Sequence, residues 1–195
     1  MTPEEDSSND PLNLDTRAEL PAEWLTLLKR HPRAGWQAPG ALGMTAAFWL
    51  ERHGAFRQLG DSLEQATQQF LGGGSDAEDF QEFFVPRLRV LLGELNGHHQ
   101  VEDHHYFPSF RRAEPALIPG FDLLDRDHKT LHGDLVATVE ATNALLQALA
   151  RTPDAEGPAA HYAETSARLL RRMRRHLDDE EDLVIPLMMT HPEFG

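Results

Sequence analysis

Residues 98–108 read HHQVEDHHYFP and place four histidines and two acids within eight positions. Imidazole nitrogens and carboxylate oxygens together suit iron, with zinc and manganese as competitors. A related phrase, HLDDEEDLVIP, fills 176–186. Histidine, glutamate and proline stand at 98, 102 and 108 in the first and at 176, 180 and 186 in the second, with the same spacing. On an α-helix, residues four apart share a face. His98 and Glu102 therefore point one way together, as do His176 and Glu180. Each carboxylate has two oxygens and can reach two metals.

Two further pieces fit. His128 and His132 form another four-apart pair in DRDHKTLHGDL, and His53 sits in FWLERHGAFRQL. Singly, each piece is commonplace, since a histidine on a helix usually belongs to the core or the surface. Together they supply one contribution from each of four helices, which is how bundles hold a pair of metals between inward-facing carboxylates and histidines.

The elements that must position them can be read from periodicity and turn residues. Residues 1 to about 20 look disordered or loosely attached. A short helix is expected over 21–31, with Pro21 at its start and Pro32 beyond its end. His31 is expected at the surface there. Residues 33–43, rich in Gly and Pro, read as a connector. The first bundle helix should run from about Met44 to Leu71, with His53 in a stripe of Trp49, Phe56, Leu59 and Leu63. Gly72, Gly73 and Gly74 end it, and Ser75 or Asp76 caps the next. That second helix should reach about Arg112, kinked or briefly broken at Pro86. The third spans about 121–150 and the fourth ends near Thr190, with Pro108 and Pro186 near the ends of helices two and four. Short connections imply an all-α, up-down-up-down antiparallel four-helix bundle. The division expected is an N-terminal arm with a short extra helix (1–43), the bundle (44–190) and a tail (191–195).

Composition narrows the function. The chain has 195 residues, enough for one domain with an appendage. It has no cysteine, which excludes disulfides, thiolate nucleophiles and cysteine-held iron–sulfur clusters. With 18 basic and 32 acidic residues the net charge is -14, against a nucleic-acid partner. No apolar run is long enough to span a bilayer. The first ten residues resemble neither a signal nor a transit peptide, so a cytoplasmic, membrane-free protein is expected.

The motifs HHQVEDHHYFP, LDRDHKTLH and HLDDEEDLVIP, completed by His53, resemble the bacterial hemerythrin-like (HHE cation-binding) domains of the hemerythrin family over roughly residues 44 to 190. The resemblance implies two non-haem irons with a bridging oxo or hydroxo group. It assigns His128, His132 and His176 to one iron, His53 and His98 to the other, and Glu102 and Glu180 as bridges. Hemerythrins proper carry the last carboxylate five residues after the histidine, at Glu181; many hemerythrin-like relatives carry it four after. On an ideal helix Glu181 points ~140° from His176 and Glu180 ~40°, which favours Glu180 and keeps Glu181 as second choice. The implied ligand count leaves one position open on the two-histidine iron, for dioxygen or nitric oxide. Carriage, storage or sensing of such a ligand is the first reading. A di-iron redox enzyme (an oxidase, a peroxidase, or a nitric-oxide or iron-centre stress enzyme) with an unidentified electron donor is the second. A metal-free or zinc-bound bundle acting through its surface is the third.

Several residues lie outside this assignment. His105 follows His98 by seven and should share its stripe, as a hydrogen-bond donor, an extra ligand, a proton relay or simply a histidine at the bundle end. His99 and His104 project ~100° and ~240° from His98 and are expected away from the site. Tyr106 either donates a hydrogen bond near Glu102 or packs the helix end. Asp127 either orients a ligand, serves as a cap or faces solvent. Arg57 takes the place equivalent to His132 and either leaves the second iron one ligand short or points to solvent, and His161 is expected to be exposed.

Overall fold

The structure is a computed structural model that describes residues 10–152 and 155–194. Among these residues there are helices and turns and no strand. A short helix α1 (Thr26–Arg30) precedes α2 (Met44–Leu71) and α3 (Ala77–Val101). A π-helical turn (Glu102–Tyr106) joins α3 to α4 (Phe107–Ala113). The long helices α5 (Ile118–Leu149) and α6 (Glu156–Thr190) follow. None is long and apolar enough to cross a membrane.

The local chemistry explains most boundaries. Helix α2 buries Trp49, His53, Phe56, Gly60, Leu63 and Thr67 at helical period. Gly60 marks a close approach, because a Cβ there would lie 2.8 Å from Leu170 Cδ2 on α6. After α2 the chain turns through Gly73 at φ 71°, a left-handed conformation that glycine adopts without steric cost. Asp76 then caps α3, its Oδ1 accepting from the backbone N–H groups of Glu78 and Asp79, both at 2.9 Å. Pro86 lies inside a continuous α3, so of the kink or brief break expected there the break is not found. The ring removes one backbone bond, but Phe84 and Leu88 are buried on either side and hold the flanking turns.

The π-helical turn sits where α3 meets the site, with Phe107 N–H bonding back to Glu102 O. This wider turn breaks the α-helical register after Glu102. His105 is consequently exposed rather than aligned with His98. Tyr106 packs edge-on against Trp49, with ring centroids 4.9 Å apart.

Contacts between the long helices run in opposite senses. Between α5 and α6 they include Gly120 with Leu183, His128 with His176, and Asp134 with Arg168. Between α2 and α3 they include Arg52 with Glu94, His53 with His98, and Phe70 with Phe80.

The apolar core is divided in two. One cluster holds Phe56, Leu63, Phe84, Leu91, Leu95, Leu131, Leu145, Tyr162 and Met173. The other holds Trp49, Phe107, Phe110, Phe121, Leu124, Leu183 and Val184. The division falls at one level on every helix: between 49 and 56 on α2, after 95 on α3, between 124 and 131 on α5, and between 177 and 183 on α6. Residues 10–20, expected to be loose, are packed. Leu14 and Leu20 are buried in the two clusters, and Arg17 is 3% exposed. Leu14, Arg17 and Leu20 recur every third residue and turn one edge of a polar segment inward.

Candidate metal centre

The layer between the two apolar clusters is filled with ionisable side chains. His53, Glu102, His176 and Glu180 are at most 1% exposed, and His99 and His128 are also buried. Burying so many such groups between apolar layers is costly unless they are paired or hold a metal.

Their atoms fall into two groups. In one, His53 Nε2 and His98 Nε2 lie 3.0 Å apart. In the other, His128 Nε2 and His176 Nε2 lie 3.1 Å apart, and His99 stacks on the His128 ring at 4.1 Å between centroids. The two glutamates stand between the groups and divide their oxygens. Glu102 Oε1 is 2.8 Å from His98 Nε2, and its Oε2 is 3.5 Å from His128 Nε2. Glu180 Oε1 is 3.7 Å from His53 Nε2, and its Oε2 is 3.2 Å from His176 Nε2. His53, His98, Glu102 and Glu180 have donor atoms close enough to share one ion, and so do His99, His128 and His176.

These atoms are not satisfied by the protein. His99 Nε2, both oxygens of Glu102 and Glu180 Oε2 are buried with no hydrogen-bond partner. Buried polar atoms without partners are rare, and here they converge. Burial and the neighbouring Glu180 push the Glu102 carboxyl well above its ordinary range. Against burial, His53, His176 and His98 pull Glu180 well below it. Two carboxylates at one site repel unless cations lie between them. The donor set of five imidazoles and two carboxylates therefore fits a metal pair.

A shell of acids orients the histidines. His53 Nδ1 donates to Glu181 Oε1 at 3.1 Å, and His128 Nδ1 donates to Asp103 Oδ1 at 2.7 Å. Each bond fixes the tautomer that leaves Nε2 free for a metal. Asp127 Oδ2 faces His176 Nδ1 at 3.6 Å, too far for a hydrogen bond, and that nitrogen has no other partner. Against burial, the His53 and Arg57 bonds hold the Glu181 carboxyl down at about 2. Glu181 also pairs with Arg33, so its oxygens are engaged away from the two groups. Arg57, equivalent in sequence to His132, pairs with Glu181 and Asp178. Trp49 Nε1 donates to Glu180 Oε1 at 2.6 Å.

A family model for the hemerythrin HHE cation binding domain matches residues 44–188. The chain belongs to that family. No curated protein and no solved structure gives a match. Within this HHE domain, six of the seven residues assigned from sequence come together: His53, His98, Glu102, His128, His176 and Glu180. His132 does not. It is exposed, because the buried stripe of α5 continues from His128 through Leu131 and Leu135. His99, expected to point away, is buried against His128 and His176 in its place.

The His98–His99 doublet was the signal for this arrangement. Adjacent residues on a helix diverge by ~100°, about the width of a buried stripe, so neighbours can serve two sites lying side by side. His104 bonds to Gln100 O on the exposed surface, and His161 is exposed as expected.

Proposed function

We propose that this HHE domain holds two non-haem irons bridged by Glu102, Glu180 and an oxo or hydroxo group, and that it binds dioxygen or nitric oxide there for carriage, storage or sensing. The observation that supports this most is the division of both glutamates: each turns one oxygen towards His53 and His98 and the other towards His128 and His176. A single-metal site has no use for that symmetry. In this reading His99, His128 and His176 hold one iron, and His53 and His98 hold the other. The opposed contacts along neighbouring helices support an up-down-up-down bundle over 44–190, with 1–43 as an arm and 191–195 as a tail.

With Glu102, Glu180 and a bridging oxygen shared, His99, His128 and His176 would complete the ligands of one iron, and His53 and His98 would leave the other with room for one more. The iron pair supplies the open position and the electrons for a diatomic ligand. The protein supplies the route and the surroundings. A cleft of about 220 Å³ lined by Phe48, Trp49, Val101 and Tyr106 reaches His98 and Glu102. Trp49 and Tyr106 on its inner wall would limit the water that reaches the site, which would slow hydrolytic loss of a bound ligand. The Trp49 bond holds Glu180 in place from the same wall.

The test is metal analysis and visible absorption of protein loaded anaerobically with ferrous iron, before and after air. About two irons per chain, oxo-bridge bands near the ultraviolet and a slowly fading oxygenated band are expected. Two irons with immediate decay and multiple turnover with a reductant would replace carriage with redox catalysis. Little iron, or one tightly held zinc, would sink the di-iron reading.

A further inference from the structure

Arg17 lies outside the span matched by the HHE family model, yet it is built into the layer of the metal centre. Its side chain is fully buried. Its NH2 donates to Asp127 Oδ2 at 2.5 Å, and its Nε donates to Asp179 Oδ2 at 2.8 Å. NH1 donates to Leu12 O at 2.8 Å, which ties the guanidinium to its own arm. The two acids immediately precede His128 and Glu180 in the chain, and they stand on α5 and α6. The Asp127 oxygen that takes the Arg17 bond is also the one 3.6 Å from His176 Nδ1.

The other arm arginine differs. Arg33 pairs with Glu181, which backs His53, but its side chain is 43% exposed, and Arg57 of α2 pairs with the same carboxylate. The bundle thus supplies its own guanidinium behind His53. Behind His176, Arg17 is the one guanidinium bonded to Asp127 among the described residues.

The structure assigns Arg17 as the positioning residue of the three-histidine half, acting through Asp127 on His176. The N-terminal arm is then part of the metal centre rather than an appendage to it. This inference rests on the di-iron reading. A planar fork between two acids on different helices fixes both at once, which a lysine or a water cannot do. His176 Nδ1 has no hydrogen-bond partner, and Asp127 Oδ2 is the carboxylate oxygen that faces it, 3.6 Å away, so holding Asp127 in place would set the face that His176 turns to the metal.

The experiment uses the full chain and the variants Arg17→Gln, Arg17→Lys, Arg33→Gln, Asp127→Asn and the double variant R17Q/D127N. Each is loaded anaerobically with ferrous iron, and the loss of iron to a ferrous chelator is followed with the visible spectrum. Circular dichroism of the metal-free proteins checks the fold. In R17Q, one of the two irons is expected to leave on the order of 10- to 100-fold faster than in the wild type, with the other unchanged. R33Q has the smaller effect, and R17K falls between R17Q and the wild type. The double variant loses iron no faster than D127N, because both act on one path.

Folded R17Q with wild-type iron loss and spectrum overturns the assignment, as does equal loss of both irons tracking lost helicity. If R17Q does not fold, R17K decides: wild-type iron retention there overturns it equally. A wild type that takes up two irons while the variants match it leaves the di-iron reading standing and removes only this one. A wild type that takes up none removes both.

Discussion

The two halves of the centre use the same kinds of donor, two imidazoles in one and three in the other, and have different surroundings. The half with His53 and His98 opens on a cleft walled by Phe48, Trp49, Val101 and Tyr106. The half with His99 and His128 faces a polar cleft of about 520 Å³, lined by Asp103, His104, Asp125, Lys129 and His132. Behind the first half stands Glu181, gripped by Arg57 from the bundle and Arg33 from the arm. Behind the second stand Asp103 and Asp127, with Arg17 from the arm as the grip on Asp127. In the proposed di-iron reading the difference would separate two tasks: the half with the fewer imidazoles and the aromatic-walled cleft would suit exchange of a small ligand, and the three-histidine half would suit retention.

The glutamates join the halves, so replacing one is the strongest way to break the comparison. Glu102→Gln and Glu180→Gln are expected to lower iron from about two to at most about one per chain and abolish the oxo-bridge bands. Glu181→Gln should keep two irons and shift only their retention, by roughly 10-fold, since it touches the metal layer through His53. Two irons in E102Q and E180Q, counted by metal analysis, would mean that neither carboxylate bridges. Iron should also stabilise the wild type by giving partners to the unpaired oxygens of Glu102 and Glu180. At a free metal concentration of 100 times Kd the gain is about 2.7 kcal/mol, read as a rise in Tm on loading.

Next in size is the exchange of His99 for His132. His99→Leu should weaken binding of the second iron by at least about 10-fold, the scale on which disturbing a metal's shell is felt. His132→Leu should leave stoichiometry and spectrum unchanged. The reverse result, from metal titrations of the pair, would restore His132 as the ligand and leave His99 a packing residue.

That pair also shows how far the sequence could be read. The HxxxE phrases and His53 place themselves, because a four-residue spacing points donors one way whatever surrounds them. The boundaries of α2 follow equally well, since a glycine run and a periodic stripe are local signals. His99 against His132 was not local. It depends on how α3 and α5 are rotated about their axes, and that rotation is set by Leu131 and Leu135 packing inward. His105 leaves the His98 stripe for a related reason: the π-helical turn after Glu102 shifts the register that spacing assumes, and of the alternatives open for His105 the exposed one holds. Arg17 lay in a segment whose acidic, polar composition looks unstructured, and its role exists only because Asp127 and Asp179 are brought together from α5 and α6.

Trp49→Phe is a smaller perturbation of the exchanging half alone. It keeps most of the aromatic wall and deletes the N–H bonded to Glu180 Oε1. Iron content should stay at about two per chain, while the oxygenated band fades faster by roughly 10-fold, the lower range for removing a hydrogen bond to a metal ligand. An unchanged lifetime in stopped-flow absorption would reduce Trp49 to a wall.

The smallest effect is expected at the mouth of the same cleft. Arg52 lines it and pairs with Glu94 of α3, with both side chains partly exposed. An exposed pair adds little to stability, about 0–1 kcal/mol. A charge at a rim instead alters the rate of arrival and its dependence on salt. Arg52→Ala should therefore slow binding of azide to the diferric protein by about two- to fivefold at low salt, with the difference vanishing at high salt where screening is complete. Dioxygen is neutral, so its binding to the diferrous protein should be unaffected by the lost charge. If both ligands instead bind faster in the variant, Arg52 acts as a physical barrier rather than a charge. If neither rate changes, the ligand does not pass this mouth, and the polar cleft beside His99 and His128 becomes the route to examine.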